Sequence, residues 1–406
     1  MPRLPGAGSD PDRDDEILQF GRDRSGRRRW LPRTVLVLLV VAAGLAVVAR
    51  GSGHPARRAA PLPAPSQLPA PSLPAPPPVR ITSAGHRLLG VTGDWELFAR
   101  GPDDLVRIQL SLGRLTRTYV PPLTSGNPDV SFVVGASETV IASADHVPGY
   151  VVPDGGQARL LTGPLAAGGP LLPGPDPRQA AWVTTGPPTR PALSLVALAG
   201  DRRSAVIRLA PGRSQLPATA APDGRGYALL ISGSSTVYDT GPGWDRPVPG
   251  TVIAVGPSSW LDVACEAHSR RCHDEVIDAA DGDRRTLPGK VSPSLSYLSW
   301  PPMGVIAPDG ATAAVAEPRR DGQLTVRLID LDSGAARDLA IRLGPRGSGN
   351  QPGTDANNHS MAWSPDSRWL FVAAAGGRLL AVDARSGQAT DLGVALPPVT
   401  QVAIRR

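Results

Sequence analysis

The sequence predicts an all-β domain that follows a single transmembrane helix and a Pro-rich linker. Three observations lead to this prediction. Residues Thr34–Ala49 carry no charge and are rich in Val, Leu and Ala. Ten prolines then fall between Pro55 and Pro78. From Ile81 onward, short runs of alternating apolar residues are broken by Gly, Pro, Asp and Ser, which is the pattern of half-buried β-strands joined by turns.

The N-terminal segment, residues 1–30, is polar and Arg-rich, so it is predicted to be a disordered cytoplasmic tail. The run at residues 31–49 is long enough to cross a hydrocarbon layer of about 30 Å once. Six arginines lie between residues 22 and 33, and the positive-inside rule places that end in the cytoplasm. We therefore expect a signal anchor that crosses the cell membrane in a single pass. A cleaved signal peptide is the alternative, although such a peptide rarely has about thirty residues before its apolar core.

Residues 50–80 form the predicted Pro/Ala-rich linker. Such chains favour polyproline II at about 3.1 Å per residue, so this segment can hold the next domain on the order of 75 Å from the bilayer. The domain that follows, residues 81–406, has 30 basic and 30 acidic residues. A protein that binds nucleic acid needs a net basic face to displace counterions from phosphates. The neutral composition therefore argues against a nucleic acid as the partner.

Internal repeats indicate which all-β architecture the domain adopts. Seven units each end a strand with a glycine turn, and the closing glycines follow one another at intervals of 41 to 53 residues. These glycines are Gly113, Gly156, Gly200, Gly241, Gly282, Gly334 and Gly387. Units of that length fit the four-stranded blades of a propeller. The sequence therefore predicts a seven-bladed β-propeller over residues 81–406.

A recurring tryptophan supports the same register. Four tryptophans stand 18 to 22 residues before the closing glycine of their units: Trp95, Trp182, Trp260 and Trp369. That spacing places each ring on the second strand of its unit. Such a ring is expected to pack between neighbouring blades, since a large aromatic side chain buries up to about 250 Å². An aromatic cage for a ligand is the alternative.

The last units resemble a known family. The segment Ala362–Phe371 reads Ala-Trp-Ser-Pro-Asp-Ser-Arg-Trp-Leu-Phe and is followed by Leu379–Asp383 and by Ser386-Gly387. This pattern is similar to a repeat of the WD40-like, TolB-type β-propeller group, while the Trp-Asp and Gly-His signatures of true WD40 repeats are absent. The whole layout also resembles single-pass actinobacterial proteins that carry such a propeller outside the membrane. The resemblance implies an interaction platform without chemistry of its own.

The end of the chain is predicted to close the ring. Pro398–Ile404 has the alternation of a strand but belongs to no unit of its own. It can supply the missing strand of the first unit, near Leu88–Trp95. Joining both chain ends in one sheet removes an exposed edge.

The repeat also sorts the loops by face. The Pro-Asp-Gly and closing-glycine turns fall at one end of the domain, and the variable loops fall at the other. These variable loops are Pro187–Pro191, Cys265–Cys272, Glu317–Gly322 and Gly344–Asn358. Binding residues usually lie on such loops above a rigid scaffold, so we expect any ligand there, over the mouth of the channel. The candidate ligand-face residues are Arg319, Arg320, Asn357, Asn358 and His359. For His359 a solvated loop position is favoured over a contact with a ligand.

The chain contains two cysteines, Cys265 and Cys272, and both lie in one of these loops. Outside the cytoplasm, two cysteines seven residues apart across a hairpin favour a disulfide. A zinc site that also uses His268 and His273 is chemically possible, and free thiols are the third alternative.

The sequence offers no recognisable reactive motif. It contains no nucleophile elbow, zinc-protease helix, phosphate loop or dinucleotide fingerprint. We therefore predict no catalytic residue, no metal and no cofactor. The favoured function is a binding or scaffold module for an extracytoplasmic protein, peptide or envelope polymer. The alternative is a hydrolase or lyase that acts on glycans, and it would require polar residues that converge on the channel.

Overall fold

A computed structural model of the chain describes most of the C-terminal four fifths of the sequence. The described ranges are 77–123, 130–143, 149–165, 171–185, 192–198, 203–208, 219–222, 228–231, 236–240, 244–248, 250–265, 272–289, 304–319, 323–343 and 359–406. The predicted tail, the membrane anchor and the linker up to residue 76 lie outside these ranges, as do Arg320, Asn357 and Asn358. None of the described residues belongs to a helix long and apolar enough to cross a membrane.

The described residues form strands and two short 3₁₀ turns, Leu110–Leu112 and Gly163–Leu165. The prediction of an all-β fold is therefore confirmed. Within these ranges the strands group into seven antiparallel meanders, numbered here in chain order. The fifth and sixth meanders share one eight-stranded sheet, because their first strands pair in parallel. Meander 1 contains β1 (Arg80–Ser83), β2 (Glu96–Arg100), β3 (Asp104–Gln109) and β4 (Arg114–Tyr119). Meander 2 contains β5 (Val130–Val134), β6 (Glu138–Ser143), β7 (Tyr150–Pro153) and β8 (Arg159–Leu160). Meander 3 contains β9 (Leu171–Pro173), β10 (Ala180–Thr185), β11 (Ala192–Ala197) and β12 (Arg203–Arg208).

The four later meanders place their strands side by side in chain order, as meanders 2 and 3 do. Meander 4 contains β13 (Thr219–Pro222), β14 (Ala228–Ile231), β15 (Thr236–Asp239) and β16 (Trp244–Pro247). Meander 5 contains β17 (Gly250–Val255), β18 (Ser259–Cys265), β19 (Cys272–Asp278) and β20 (Arg284–Thr286). Meander 6 contains β21 (Gly304–Ile306), β22 (Thr312–Pro318), β23 (Leu324–Asp330) and β24 (Ala336–Arg342). Meander 7 contains β25 (Met361–Trp363), β26 (Trp369–Ala374), β27 (Arg378–Asp383) and β28 (Ala389–Asp391).

The last strand, β29 (Gln401–Arg405), joins meander 1, so the sheet that contains both chain ends has the order β1-β4-β3-β2-β29. It pairs with β2 in antiparallel register, from Glu96 opposite Arg405 to Arg100 opposite Gln401. The predicted closure is confirmed, although the partner strand lies just beyond the predicted segment Leu88–Trp95. The sequence did not indicate β1, which begins at Arg80 and adds a fifth strand along the outer edge.

Seven apolar clusters lie within the described residues, and each joins two consecutive meanders. Six of them link meanders 1 to 7 in chain order. The seventh joins meander 7 to meander 1, where the rings of Trp95 and Phe371 meet edge to face with centroids 5.8 Å apart. Sheets that pack in sequence and return from the last to the first form the ring of a β-propeller.

All four repeated tryptophans lie in these clusters. Trp95 and Trp369 pack between meanders 7 and 1, Trp182 between meanders 3 and 4, and Trp260 between meanders 4 and 5. The prediction that they stabilise contacts between sheets is therefore confirmed. The aromatic-cage alternative does not describe them, because each ring is at most 8% exposed.

The first strand of each meander lies at the inside of the ring, and β29 takes this place in meander 1. Inner strands contact their neighbours from β5 through β9 to β13 and from β17 through β21 to β25; β25 contacts β29, and β29 contacts β5. The turns from first to second strand and from third to fourth strand share one end of the meanders, here called the tight-turn end. The other connections share the opposite end, here called the long-loop end.

The closing glycines within the described ranges lie in the turns between third and fourth strands. Four of them adopt positive φ values between 59° and 82°: Gly113, Gly282, Gly334 and Gly387. In the second unit Gly155, rather than Gly156, has the positive φ. Gly200 and Gly241 lie outside the described residues.

Candidate functional site at the long-loop end of the channel

Three polar side chains come together where the inner strands begin: Arg100, His359 and Gln401. Arg100 is the last residue of β2, and Gln401 is the first residue of β29. The Nη1 group of Arg100 donates a hydrogen bond of 2.7 Å to Oε1 of Gln401. The Nε2 group of Gln401 donates to the carbonyl of Val130, the first residue of β5, at 2.8 Å. Gln401 is therefore held between meanders 1 and 2 and is only 1% exposed.

The backbone around Arg100 is fixed by the closing strand. The carbonyl of Arg100 accepts hydrogen bonds from the backbone N of Thr400 at 2.7 Å and from its Oγ1 at 3.1 Å. Burial lowers the pKa of the Arg100 guanidinium to about 10. No carboxylate of the described residues lies within ion-pair distance of this guanidinium. The site therefore contains a desolvated positive charge whose direct partner is a neutral amide.

His359 stands beside this charge, immediately before β25. Its carbonyl accepts a hydrogen bond from the backbone N of Val402 at 2.6 Å. Its ring meets Phe132 edge to face, with centroids 6.0 Å apart and planes inclined at 76°. Burial, together with the charge of Arg100, lowers the pKa of His359 to about 4. The imidazole is therefore neutral at pH 7. Its packed position against Phe132 differs from the solvated loop position that the sequence favoured.

One further candidate residue of the ligand face, Arg319, has a known position. Arg319 follows β22 and is exposed, and its backbone N donates to the carbonyl of Gln323 at 2.7 Å. Strand order places its hairpin at the long-loop end, together with the disulfide hairpin. The other candidate ligand-face residues, Arg320, Asn357 and Asn358, lie outside the described ranges. Sequence reasoning missed Arg100 because an arginine at the end of a strand gives no signal of its surroundings.

Cys265 and Cys272 form a disulfide and face each other across the β18–β19 ladder. The two Cα atoms are 4.0 Å apart. Nε2 of the neighbouring His273 donates a hydrogen bond of 2.8 Å to Oε1 of Glu275. The disulfide thus closes the hairpin at the long-loop end. The zinc and free-thiol alternatives therefore do not describe Cys265 and Cys272.

The opposite mouth of the channel has a different character. A pocket of about 220 Å³ lies at the tight-turn end, among the last residues of several inner strands. Its lining is mainly apolar and includes Val255, Ile306 and Trp363, together with the C-terminal Arg406. The indole Nε1 of Trp363 donates to the carbonyl of Val305 at 3.0 Å. The two mouths therefore differ in polarity.

A charged groove of about 900 Å³ also lies at the tight-turn end, between meanders 6 and 7. Its aspartates stabilise their own turns; for example, Oδ1 of Asp383 accepts from the backbone N of Ser386 at 2.8 Å. Arg337 crosses the groove and donates to the carbonyls of Ala384 at 3.0 Å and Ser386 at 2.8 Å. These contacts explain the charges of the groove as connections within and between the two sheets.

Comparisons with known proteins give no family. No protein-family model matches the chain, and no curated protein matches it. Among solved structures, a protein of unknown function from Desulfotomaculum acetoxidans is 15% identical with a TM-score of 0.47, over 77% of this chain and 99% of that chain. TolB from Acinetobacter baumannii is 13% identical with a TM-score of 0.40, over 77% and 82% of the two chains. An oligogalacturonate lyase in complex with manganese is 11% identical with a TM-score of 0.44, over 72% and 86%.

These similarities are too low to add to what the strand pairing shows. The pairing and the packing of the sheets define an all-β protein of the propeller type. Its channel has a polar cluster at the long-loop mouth and an apolar pocket at the tight-turn mouth.

Proposed function

We propose that this protein is an extracytoplasmic binding module. In this proposal it is a seven-bladed β-propeller, held at the membrane by residues 31–49 and spaced from it by residues 50–80. It binds a protein, a peptide or an envelope polymer at the long-loop end of its channel. The count of seven blades is supported by the seven meanders of the described chain and by the apolar cluster between each consecutive pair.

One observation carries the binding function: Arg100, Gln401 and His359 meet at the mouth of the channel. A positive charge, a fixed amide and a neutral imidazole are groups that recognise a ligand by hydrogen bonds and charge. The desolvation of Arg100 is costly, and costly polar groups cluster at functional sites.

Several carboxylates of the described chain are engaged in ion pairs, which favours binding over glycan cleavage. Glycosidases need two carboxyl groups that flank a bond. Here Glu96 pairs with Arg405 and Arg107, Asp104 pairs with Arg117, and Glu317 pairs with Arg327. These pairs join strands within one sheet, where they stabilise the pairing of the strands.

The membrane location rests on the sequence, namely the uncharged run Thr34–Ala49 and the arginines before it. Protease added to intact cells that produce the full-length chain should digest or release the portion after residue 50. A portion that stays protected until the cells are lysed would contradict this orientation.

Site-specific photocrosslinking in intact cells tests the binding face. A photoreactive amino acid replaces Arg319, which is exposed at the long-loop end, or Asp332, whose side chain is 90% exposed at the tight-turn end. We expect crosslinks to an envelope component from position 319 and at least tenfold fewer from the matched position 332. Equal yields at both positions, or no crosslink from position 319, would refute the proposed face.

The enzymatic alternative has its own measurement. Purified full-length protein is incubated with envelope glycans, and new reducing ends and unsaturated sugars are counted. We expect no increase over a heat-denatured sample, and a steady increase would show that the channel is catalytic.

A further inference from the structure

We propose that Arg100 binds a carboxylate group of the ligand at the long-loop mouth of the channel, with the imidazole of His359 as a second contact. This inference rests on the proposed binding function and names the chemistry that the same site recognises. It follows from how arginines are used elsewhere in the ring, from the geometry of Arg100 and from its accessibility.

Other partly or fully buried arginines in the ring meet carboxylates. Arg405, whose side chain is 7% exposed, pairs with Glu96 and Asp154. Arg107 pairs with the same two acids, and Arg327 pairs with Glu317 and Asp338. Such pairing is the general rule, because an uncompensated buried charge costs several kcal/mol. Arg100 departs from this rule within the same protein.

The geometry of Arg100 shows which edge of the guanidinium remains free to bind a ligand. Its Nη1 donates to Gln401, which is itself fixed by Val130. The Nε and Nη2 groups have no partner among the described residues. In Arg117 this same edge holds both oxygens of Asp104, with Nε to Oδ1 at 2.8 Å and Nη2 to Oδ2 at 2.5 Å. Arg100 therefore presents the edge with which this protein already grips a carboxylate in a bidentate manner.

This edge can be reached by a ligand. The buried side-chain atoms that have no hydrogen-bond partner in the described chain belong to other residues, and neither Arg100 nor His359 is among them. Both residues are half-buried, so their side chains keep contact with solvent, although burial affects the pKa of both groups. A ligand that neutralises the guanidinium would offset the cost of its desolvation.

His359 suits the role of a second contact. Burial, followed by the charge of Arg100, lowers the pKa of His359 and keeps its ring neutral, so one ring nitrogen can donate a hydrogen bond and the other can accept one. A neutral donor next to a cation favours an anion without adding a second desolvated charge. A planar carboxylate has two sources in the envelope, a peptide C-terminus and a uronic acid, and both offer the same two oxygens to the guanidinium.

Arginine-specific modification tests this assignment on the full-length protein. Phenylglyoxal reacts with accessible guanidinium groups, and mass spectrometry reports the rate at each arginine. We expect N-acetylalanine or glucuronate to slow the modification of Arg100 at least fivefold in a saturable manner. The exposed Arg385 is the internal control, and its rate should not change at matched ionic strength. The more protective probe identifies the peptide or the uronic acid as the source.

Three results would overturn the assignment. These are unchanged modification of Arg100 with both carboxylates, equal slowing at Arg385, and stronger protection by inorganic phosphate than by either carboxylate. The last result would assign the site to phosphate instead.

Variants separate this inference from the binding function itself. In the parent protein, carboxylate binding should raise the pKa of His359 by at least one unit, as measured by NMR. Arg100→Gln should abolish this rise. The same variant should keep or raise the melting temperature, since it removes an uncompensated charge, whereas Arg100→Lys should retain only weak binding because it lacks the fork. Two results together would refute Arg100 as the anion contact and leave the binding function standing. Crosslinking from position 319 would persist in Arg100→Gln, and the parent protein would show no carboxylate effect.

Discussion

Arg405 of the last strand forms an ion pair with Asp154 of meander 2, 251 residues earlier in the chain. Nη1 of Arg405 donates to Oδ1 of Asp154 at 3.2 Å, and Nε donates to Oε2 of Glu96 at 2.9 Å. Burial would raise the pKa of Glu96, but hydrogen bonds from Arg107 and Arg405 outweigh it and lower the pKa. One guanidinium thus ties the closing strand to its own sheet and to the next one.

Arg405→Met is expected to destabilise the protein by about 3 kcal/mol, because removing one partner leaves buried carboxylates without full compensation. Chemical denaturation of the full-length chain measures this change. The matched control is Arg378→Met, which removes an exposed pair with Asp391 whose side chains are 61% and 62% exposed. That control should cost less than about 1 kcal/mol. Similar losses in both variants would show that Arg405 does not fasten the ring.

Gly334 and Gly310 provide a paired test of turn geometry. Both have positive φ, 69° and 75°, but a Cβ at Gly334 would lie 1.6 Å from the carbonyl oxygen of Pro288. At Gly310 the nearest atom, Oγ of Ser258, would be 3.9 Å away. We expect Gly310→Ala to cost about 1 kcal/mol from backbone strain alone. Gly334→Ala should cost about 2–4 kcal/mol, because Pro288 must also move. Equal melting temperatures for the two variants would contradict this close approach between meanders 5 and 6.

Asp262 makes stability depend on pH. It is fully buried on β18 opposite Glu275, and burial, followed by the charge of Glu275, raises its pKa to about 7. Because the folded pKa exceeds the ordinary value of 3.8, the folded state binds the extra proton between about pH 4 and pH 7. Stability from this group is complete below about pH 4 and is lost as the pH rises through 7.

The variant Asp262→Asn should therefore show a flatter stability profile than the parent protein. The difference in unfolding free energy, parent minus variant, should fall by about 1.4 kcal/mol per pH unit across this window. Denaturation at half-unit pH steps measures it. Asp332→Asn, at an exposed position, is the control and should run parallel to the parent. Parallel profiles for Asp262→Asn would exclude the raised pKa.

The disulfide closes a short loop, so its contribution is modest. Replacing Cys265 and Cys272 with Ser should lower the unfolding free energy by about 2 kcal/mol, mainly because the unfolded chain gains freedom. The parent should lose a similar amount when a reductant is added, and the double variant should not respond. Thiol counting in denaturant should find no thiol before reduction and both cysteines afterwards. Reactive thiols before reduction would contradict the pairing.

Much of the fold was predictable from local patterns. The glycine turns between third and fourth strands require positive φ, which glycine adopts without steric cost, so Gly113, Gly282, Gly334 and Gly387 mark them in the sequence. The alternation in Pro398–Ile404 predicted a strand that belongs to no unit of its own, and β29 begins within this segment. The outer strand β1 was not predictable, because its residues are exposed on both faces and show no alternation.

The candidate site was predictable only as an end of the ring. His359 drew attention because it follows a long loop, but its contact with Phe132 and its neutral ring depend on a sheet far away in sequence. Nothing near Arg100 in the sequence distinguishes it from Arg117 or Arg405. Its neighbour Gln401 is 301 residues away.

The sequence by itself therefore determined the strands, the turns and the order in which the sheets follow one another, because these depend on steric preferences and on apolar alternation within a few residues. Only the tertiary structure decided which charges are compensated. Ring closure brings β29 against β2 and β5, so that Arg405 meets Glu96 and Asp154 while Arg100 meets an amide. The energy of a buried charge is set by the groups that surround it in space, and those groups come from opposite ends of the chain.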